Sequence, residues 1–244
     1  MLEAPEALLA DLVTAHRILV GEGVLDAFGH ISVRDPRRSD RFWLSRATPP
    51  SRVVRADFVP LTLDGEPAAD PGGPLFSERF IHAAVYAQRP DVFSVCHHHS
   101  PSVMPFCIAD HPLVAVSQTG ASIGAEVSRW DSRDEFGATA MLVNDMAQAM
   151  SLVRALGSNS LVLMRGHGAT VTGSGLKELV FRAVHACRDA DYQLAAAPLG
   201  HLQPLSSEEI EMATPPAVPA IERCWSHWTA ALDGDGKSTE RSSR

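Results

Sequence analysis

Three consecutive histidines, His97-His98-His99, close the apolar run Val92-Phe93-Ser94-Val95-Cys96. Such a run predicts a β-strand over 92–99, and side chains two apart on a strand point to the same face. His97 and His99 would then stand side by side, with His98 turned away. Two neutral imidazole nitrogens at that spacing suit a divalent metal ion; a polar strand end in solvent is the plainer alternative. A second apolar run, 160–164, empties into Arg165-Gly166-His167-Gly168. Glycines on both sides of a histidine let the backbone turn sharply and approach a neighbouring strand. His167 is thus a natural third ligand, giving a three-histidine set with open positions, as catalytic metals require. Taken without the other two, it is a loop histidine between turn glycines.

Just ahead of the histidine strand lies Ser77-Glu78-Arg79-Phe80-Ile81-His82. A helix is expected over 77–87, with Ser77 as its N-cap and Glu78 in its first turn, where the helix dipole favours a carboxylate. It should stop before Arg89-Pro90. Near a metal, Glu78 could be a fourth ligand, a general acid/base, or both in turn; otherwise it is an exposed first-turn glutamate. His82 reads as a packing or capping residue.

The elements that must position these groups follow from periodicity. Residues 5–23 read as an amphipathic helix. The segment 28–34 is a strand alternating at Ile31 and Val33, and Asp35–Asp40 is a turn returning into a strand over 41–45, a hairpin. Short strands are expected within 53–65, a loop over 67–74, a helix from 101–108 and a strand over 113–116. Helices are expected over 141–156 and, longest, 176–197. The mixture suggests an α/β sheet flanked by helices in one domain, 1–232, with 233–244 a frayed tail.

Composition bounds the rest. At 244 residues, 45% apolar and 20% charged, the chain can bury a full core without disulfide or metal support. A net charge of −8 offers no basic field for nucleic acid, and no run approaches the roughly 18–20 apolar residues of a membrane span. The first residues lack the pattern of a secretory leader, so a cytoplasmic protein is expected. Cys96, Cys107, Cys187 and Cys224 have no CxxC spacing and read as small buried hydrophobes. Neither a nucleophile elbow nor an HExxH helix is expected, which disfavours a hydrolase.

The order of a Gly29-x-x-Ser32 strand, a Ser77-Glu78 helix start, His97-x-His99 and Gly166-His167-Gly168 resembles the class II aldolase/adducin family over about residues 16–192. The resemblance implies an α/β/α sandwich around a largely antiparallel sheet, assembled as a homotetramer with active sites between subunits. It makes His97, His99 and His167 the ligands of one divalent metal per subunit and Glu78 the catalytic carboxylate. Zn²⁺ and Mn²⁺ lead, with Fe²⁺ and Co²⁺ also compatible with such a set. Adducin-like members without activity lack the metal set.

Sugar-phosphate aldolases of this family carry small hydroxylated residues that cradle a phosphate. Here the matching positions are Gly29-His30, the stretch 44–50 with Ser45 and Arg46, and Phe76-Ser77-Glu78. A guanidinium and an aromatic ring suit a flat carboxylate better than a phosphorylated sugar. Arg46 could fork a carboxylate, or simply pair with a surface acid, and Phe76 could stack on a ring. These features are similar to the branch that decarboxylates hydroxylated aromatic or pyridine carboxylates. The resemblance therefore implies a metal-dependent C–C lyase acting on a small carboxylate, with Glu78 or His30 protonating the ring carbon and Ser45, Arg46, Phe76 and Ser77 lining the substrate site. An aldolase for an unphosphorylated hydroxy-keto substrate, and a scaffold with structural zinc, are the alternatives. His201 could reach a neighbouring site.

Overall fold

The computed structural model describes residues 5–238. In chain order its elements are α1 (Glu6–Gly21), β1 (His30–Arg34), β2 (Arg41–Ser45), β3 (Phe58–Thr62), α2 (Arg79–Gln88), β4 (Ser94–His98) and α3 (Met104–Ile108). There follow β5 (Ser128–Trp130), α4 (Arg133–Phe136), α5 (Met146–Leu156), β6 (Leu161–Met164), β7 (Gly168–Gly173), α6 (Leu176–Ala196), α7 (Ser207–Ala213) and α8 (Val218–Ser238). The strands form one seven-stranded sheet in the order β3-β2-β1-β4-β7-β6-β5. Neighbours run antiparallel except β5 and β6, which are parallel. The largely antiparallel sandwich expected from the sequence is the observed fold.

Alternation decides which helices each strand meets. On β1, Ile31 and Val33 enter the core shared with α1 and α6, together with Cys96 of β4. The intervening residues face the other core, where α2 and α5 pack on Phe42, Leu44, Val95, Val162 and Met164. Burial on both faces explains why β6 reads as an unbroken apolar run. The hairpin turn is held by Asp35, whose carboxylate accepts from Arg37 N and Trp43 Nε1, each at 2.9 Å. Arg34 ties the end of β1 to the end of α2 by donating to the carbonyls of Tyr86 and Arg89 at 2.8 and 3.0 Å.

Three expectations are corrected. Helix α2 begins at Arg79, not Ser77; Ser77 is exposed, and Glu78 occupies the cap position without a side-chain cap bond. Residues 113–116 form no strand, because α6 supplies partners instead: Val114 N donates to Gln193 Oε1 at 3.1 Å and Val116 N to Asp189 Oδ2 at 2.7 Å. Helix α5 starts at Met146, where Asp145 caps it by accepting from Gln148 N at 2.8 Å. Helix α8 spans Val218–Ser238, and the end of the expected tail, 239–244, lies outside the described residues. No helix among the described residues is long and apolar enough to cross a membrane.

Candidate metal centre

The register of the central strands assembles the site. His30 on β1 pairs with His97 on β4, and His97 pairs with Thr170 on β7. The β6–β7 connection turns between Met164 and Gly168, with Gly166 at φ +65°, and carries His167 at its tip. Gly168 must be glycine, since a Cβ there would lie 2.3 Å from the carbonyl oxygen of His98. That close approach of β7 to β4 brings His167 to the histidine strand. Glu78 reaches the same point from the start of α2.

Three ring nitrogens converge. His97 Nε2 lies 3.0 Å from His99 Nε2 and 3.2 Å from His167 Nε2. Glu78 closes the group, with Oε1 3.2 Å from His167 Nε2 and Oε2 3.5 Å from His97 Nε2. One donor atom from each of the four residues falls within 4.8 Å of all the others. His98 points away, is buried, and accepts from Ser100 N at 3.3 Å.

The second nitrogen of each ring determines what the first can do. His167 Nδ1 donates to the Met141 carbonyl at 2.6 Å, and His99 Nδ1 lies 3.3 Å from both carboxylate oxygens of Asp26. His97 Nδ1 is 3.4 Å from Thr170 Oγ1, whose hydroxyl is directed at Met164 Sδ and so leaves its oxygen free to accept. With the protons on Nδ1, three Nε2 lone pairs and a carboxylate face one another. They cannot hydrogen-bond among themselves, and a cation at their centre would satisfy all four. Zn–N bonds of about 2.0–2.1 Å place tetrahedral ligands about 3.3–3.4 Å apart, close to the spacings here. The residues therefore fit a divalent metal ion, and Asp26, Thr170 and the Met141 carbonyl supply the outer contacts that orient ligating histidines.

Charge at the site agrees. Burial pushes the Glu78 carboxyl up, but His97 and His167 outweigh it and hold it well below the usual carboxylate range. Burial lowers His167, yet Glu78 overrides that and raises it. Burial, then the neighbouring His97, lowers His99. An anionic Glu78 amid imidazoles makes the pocket favour positive charge.

His30 sits beside this group, its ring 5.3 Å from that of His97 and 4.5 Å from that of Phe76. Its Nδ1 meets His82 Nε2 at 2.7 Å, while its buried Nε2 has no partner among the described residues. Arg46 is differently engaged: Nη2 binds Asp57 Oδ1 at 2.6 Å and Nη1 the Gly72 carbonyl at 2.9 Å. The guanidinium fork expected for a substrate carboxylate is thus taken up by an acid of the same chain. Ser45 is buried, and its hydroxyl has no partner among the described residues.

The residue reading missed Asp26, Thr170, Ser32 and Tyr86 and gave His82 only a packing role. The pairs His30/Ser32, two apart on a strand, and His82/Tyr86, four apart on a helix, carried the missed signal. It also overlooked that Gly120-Ala121-Ser122-Ile123-Gly124 has the letters of a nucleophile elbow. That segment is a short 3₁₀ turn rather than a strand-to-helix turn, and Ser122 is buried with no hydrogen-bond partner for its hydroxyl among the described residues.

Residues 10–194 match the profile of the Class II Aldolase and Adducin N-terminal domain. The chain belongs to the class II aldolase/adducin family. Among its relatives, the decarboxylase tropJ of Talaromyces stipitatus is 30% identical over 251 residues, covering 93% of this chain and 94% of that protein. A 3,4-dihydroxyphthalate decarboxylase of Terrabacter is 28% identical over 243 residues, 94% of this chain and 97% of that one. In fold, an aldolase II superfamily protein from Pseudomonas syringae superimposes with a TM-score of 0.80 at 21% identity, covering 96% of each chain. Proteins named as decarboxylases and, at 24% identity over 186 residues, the beta-adducin of Homo sapiens are thus both among the relatives of this chain.

Proposed function

We propose that the chain is a divalent-metal-dependent C–C lyase that decarboxylates a small hydroxylated aromatic or heteroaromatic carboxylate, with one metal per subunit held by His97, His99, His167 and Glu78. The observation that carries the reading is the convergence of three imidazole lone pairs and a carboxylate beside the Phe76–His30 face. The decarboxylase relatives, matched over nearly the whole chain, support the choice of reaction. Zn²⁺ and Mn²⁺ suit the donor set, and assembly as a homotetramer belongs to the same proposal.

When bound, the cation supplies Lewis acidity toward a substrate oxygen. The chain's own residues do the rest. Phe76, half-buried and packed at 4.5 Å against His30, offers a planar surface for a ring. In the reaction a proton replaces the carboxylate on the ring carbon: the C–C bond breaks, CO₂ leaves, and the bonding pair stays with the ring. Glu78, next to the ligating nitrogens, is the carboxylate placed to move that proton. With Arg46 tied to Asp57, His30 is the polar group beside the ligand set left to face the substrate.

CO₂ release from a panel of hydroxylated benzoates, phthalates and pyridine carboxylates, with and without added Zn²⁺ or Mn²⁺, tests the reading. Metal-dependent CO₂ from one or more members supports it. Aldehyde release from a hydroxy-keto acid with no CO₂ from the panel would replace it with aldol cleavage.

A further inference from the structure

His30 and Ser32 alternate onto one face of β1, and His82 and Tyr86, one turn apart, line the facing side of α2. The four side chains form a continuous row. Tyr86 Oη is 2.8 Å from Ser32 Oγ, Ser32 Oγ is 2.6 Å from His82 Nδ1, and His82 Nε2 is 2.7 Å from His30 Nδ1. Each of these residues is at most 1% exposed. The row ends at His30 Nε2, which is buried, has no partner among the described residues and sits beside the ligand set and Phe76.

With neutral groups and the Ser32 proton kept within the row, the protons can be ordered in two ways. In one, Tyr86 donates to Ser32, Ser32 to His82 Nδ1, and His82 Nε2–H to His30 Nδ1; His30 then carries its proton on Nε2. In the other, every bond reverses, His30 shows a bare lone pair, and Tyr86 must donate elsewhere. The acceptor left for it is the Phe93 carbonyl at 3.4 Å, which already accepts from Arg34 N at 2.7 Å. The first order uses only bonds of 2.6–2.8 Å, while the second needs one near the limit of a useful contact. Neutral hydroxyls and imidazoles donate one proton each here, so the first order satisfies every bond within the row and leaves the His30 Nε2–H facing the site.

We infer that Tyr86, Ser32 and His82 are positioning residues that hold His30 as a neutral imidazole with its proton on Nε2, aimed at a substrate oxygen. This inference rests on the lyase reading of the site. His30 then works as a hydrogen-bond donor to the oxygen that gains negative charge as the C–C bond breaks, and proton delivery falls to Glu78. A neutral donor fixed in place stabilises developing charge without reorganising, and without pairing tightly to the ground-state carboxylate.

The test is the ¹⁵N–¹H correlation spectrum of the histidine rings in the full-length, Zn²⁺-loaded protein, with His30 assigned by its absence in His30→Asn. Wild type should show His30 protonated on Nε2 only. His82→Met removes the donor to His30 Nδ1, and His82→Gln retains one. His82→Met should move the His30 proton at least partly to Nδ1 and lower kcat about 10–100-fold, with metal content and KM close to wild type. His82→Gln should recover both the spectrum and most of kcat. If His82→Met fails to fold, Ser32→Ala carries the test and should give a mixed tautomer at His30. An Nδ1–H or doubly protonated His30 in wild type would overturn the inference, as would a wild-type spectrum and kcat in His82→Met. The spectrum needs no substrate, so a panel that yields no CO₂ removes the decarboxylase reading while the tautomer still stands or falls independently.

Discussion

Asp26→Asn isolates the outer contact of a single metal ligand. Asp26 Oδ1 accepts from Phe28 N at 2.8 Å and Gly29 N at 2.9 Å, which fixes the carboxylate beside His99. Asparagine can keep both backbone bonds through its carbonyl oxygen, so the loop should hold its shape. What is lost is the charge and the two-oxygen acceptor at 3.3 Å from His99 Nδ1. Outer-shell partners of this kind are worth roughly 10–100-fold in metal affinity. Two features place Asp26 at the low end: both contacts are long, and the side chain is 41% exposed, so solvent screens it. The expected loss is about tenfold in Zn²⁺ affinity, measured by competition with a chromophoric chelator near neutral pH. Thr170→Val, removing a 3.4 Å contact to His97, should cost less, about two- to threefold. Affinity within twofold of wild type in Asp26→Asn, or a larger loss in Thr170→Val, would refute the ordering of these contacts.

Glu78→Gln should keep the fold and retain metal with reduced affinity, while turnover drops by a factor of about 10²–10⁴, read from CO₂ release under saturating metal. Gly168→Ala should cost about 1–3 kcal/mol in urea unfolding and weaken metal binding, because its methyl meets the His98 carbonyl and His99 Cδ2. Burial lowers the buried His16 to about 4, although its bond to the Leu12 carbonyl works the other way. The unfolded chain therefore takes up a proton near pH 6.5 that the folded chain refuses until about pH 4. His16 stability is fully present above that upper limit and is lost as pH falls through the window, reaching about 2 kcal/mol by pH 5. His16→Leu should make apo-protein stability less dependent on pH between 7.5 and 5 by about that amount, and an unchanged pH dependence would contradict the assignment.

The fold was legible where a strand or helix shows an undiluted period. The hairpin at 30–45, the run 160–164 and the long helix at 176–197 all appear within a residue or two of their expected bounds. The errors fall where side chains of another element replace a local pattern. Asp189 and Gln193 of α6 hold 113–116 as a loop, and Glu78 turns its carboxylate to histidines instead of letting Ser77 cap the helix. Strand alternation singled out His97 and His99 and a glycine-flanked turn His167, while Glu78 joined them from its place ahead of the histidine strand and by the family resemblance. Asp26 and the Met141 carbonyl were not, since each reaches its histidine from a loop: Asp26 across 73 residues of sequence, and Met141 with a positive φ of 65°. For Arg46 the sequence left a substrate fork and an acid partner both open, because nothing in it points to Asp57.

The most direct test of the account is metal content by elemental analysis of wild type and His97→Ala after equal exposure to Zn²⁺ or Mn²⁺, with CO₂ release assayed on the same preparations. The account predicts about one metal per chain and metal-dependent CO₂ release in wild type, and loss of both in a folded His97→Ala protein. Wild type that stays metal-free after reconstitution, or a folded His97→Ala that keeps a full complement of metal, would contradict it.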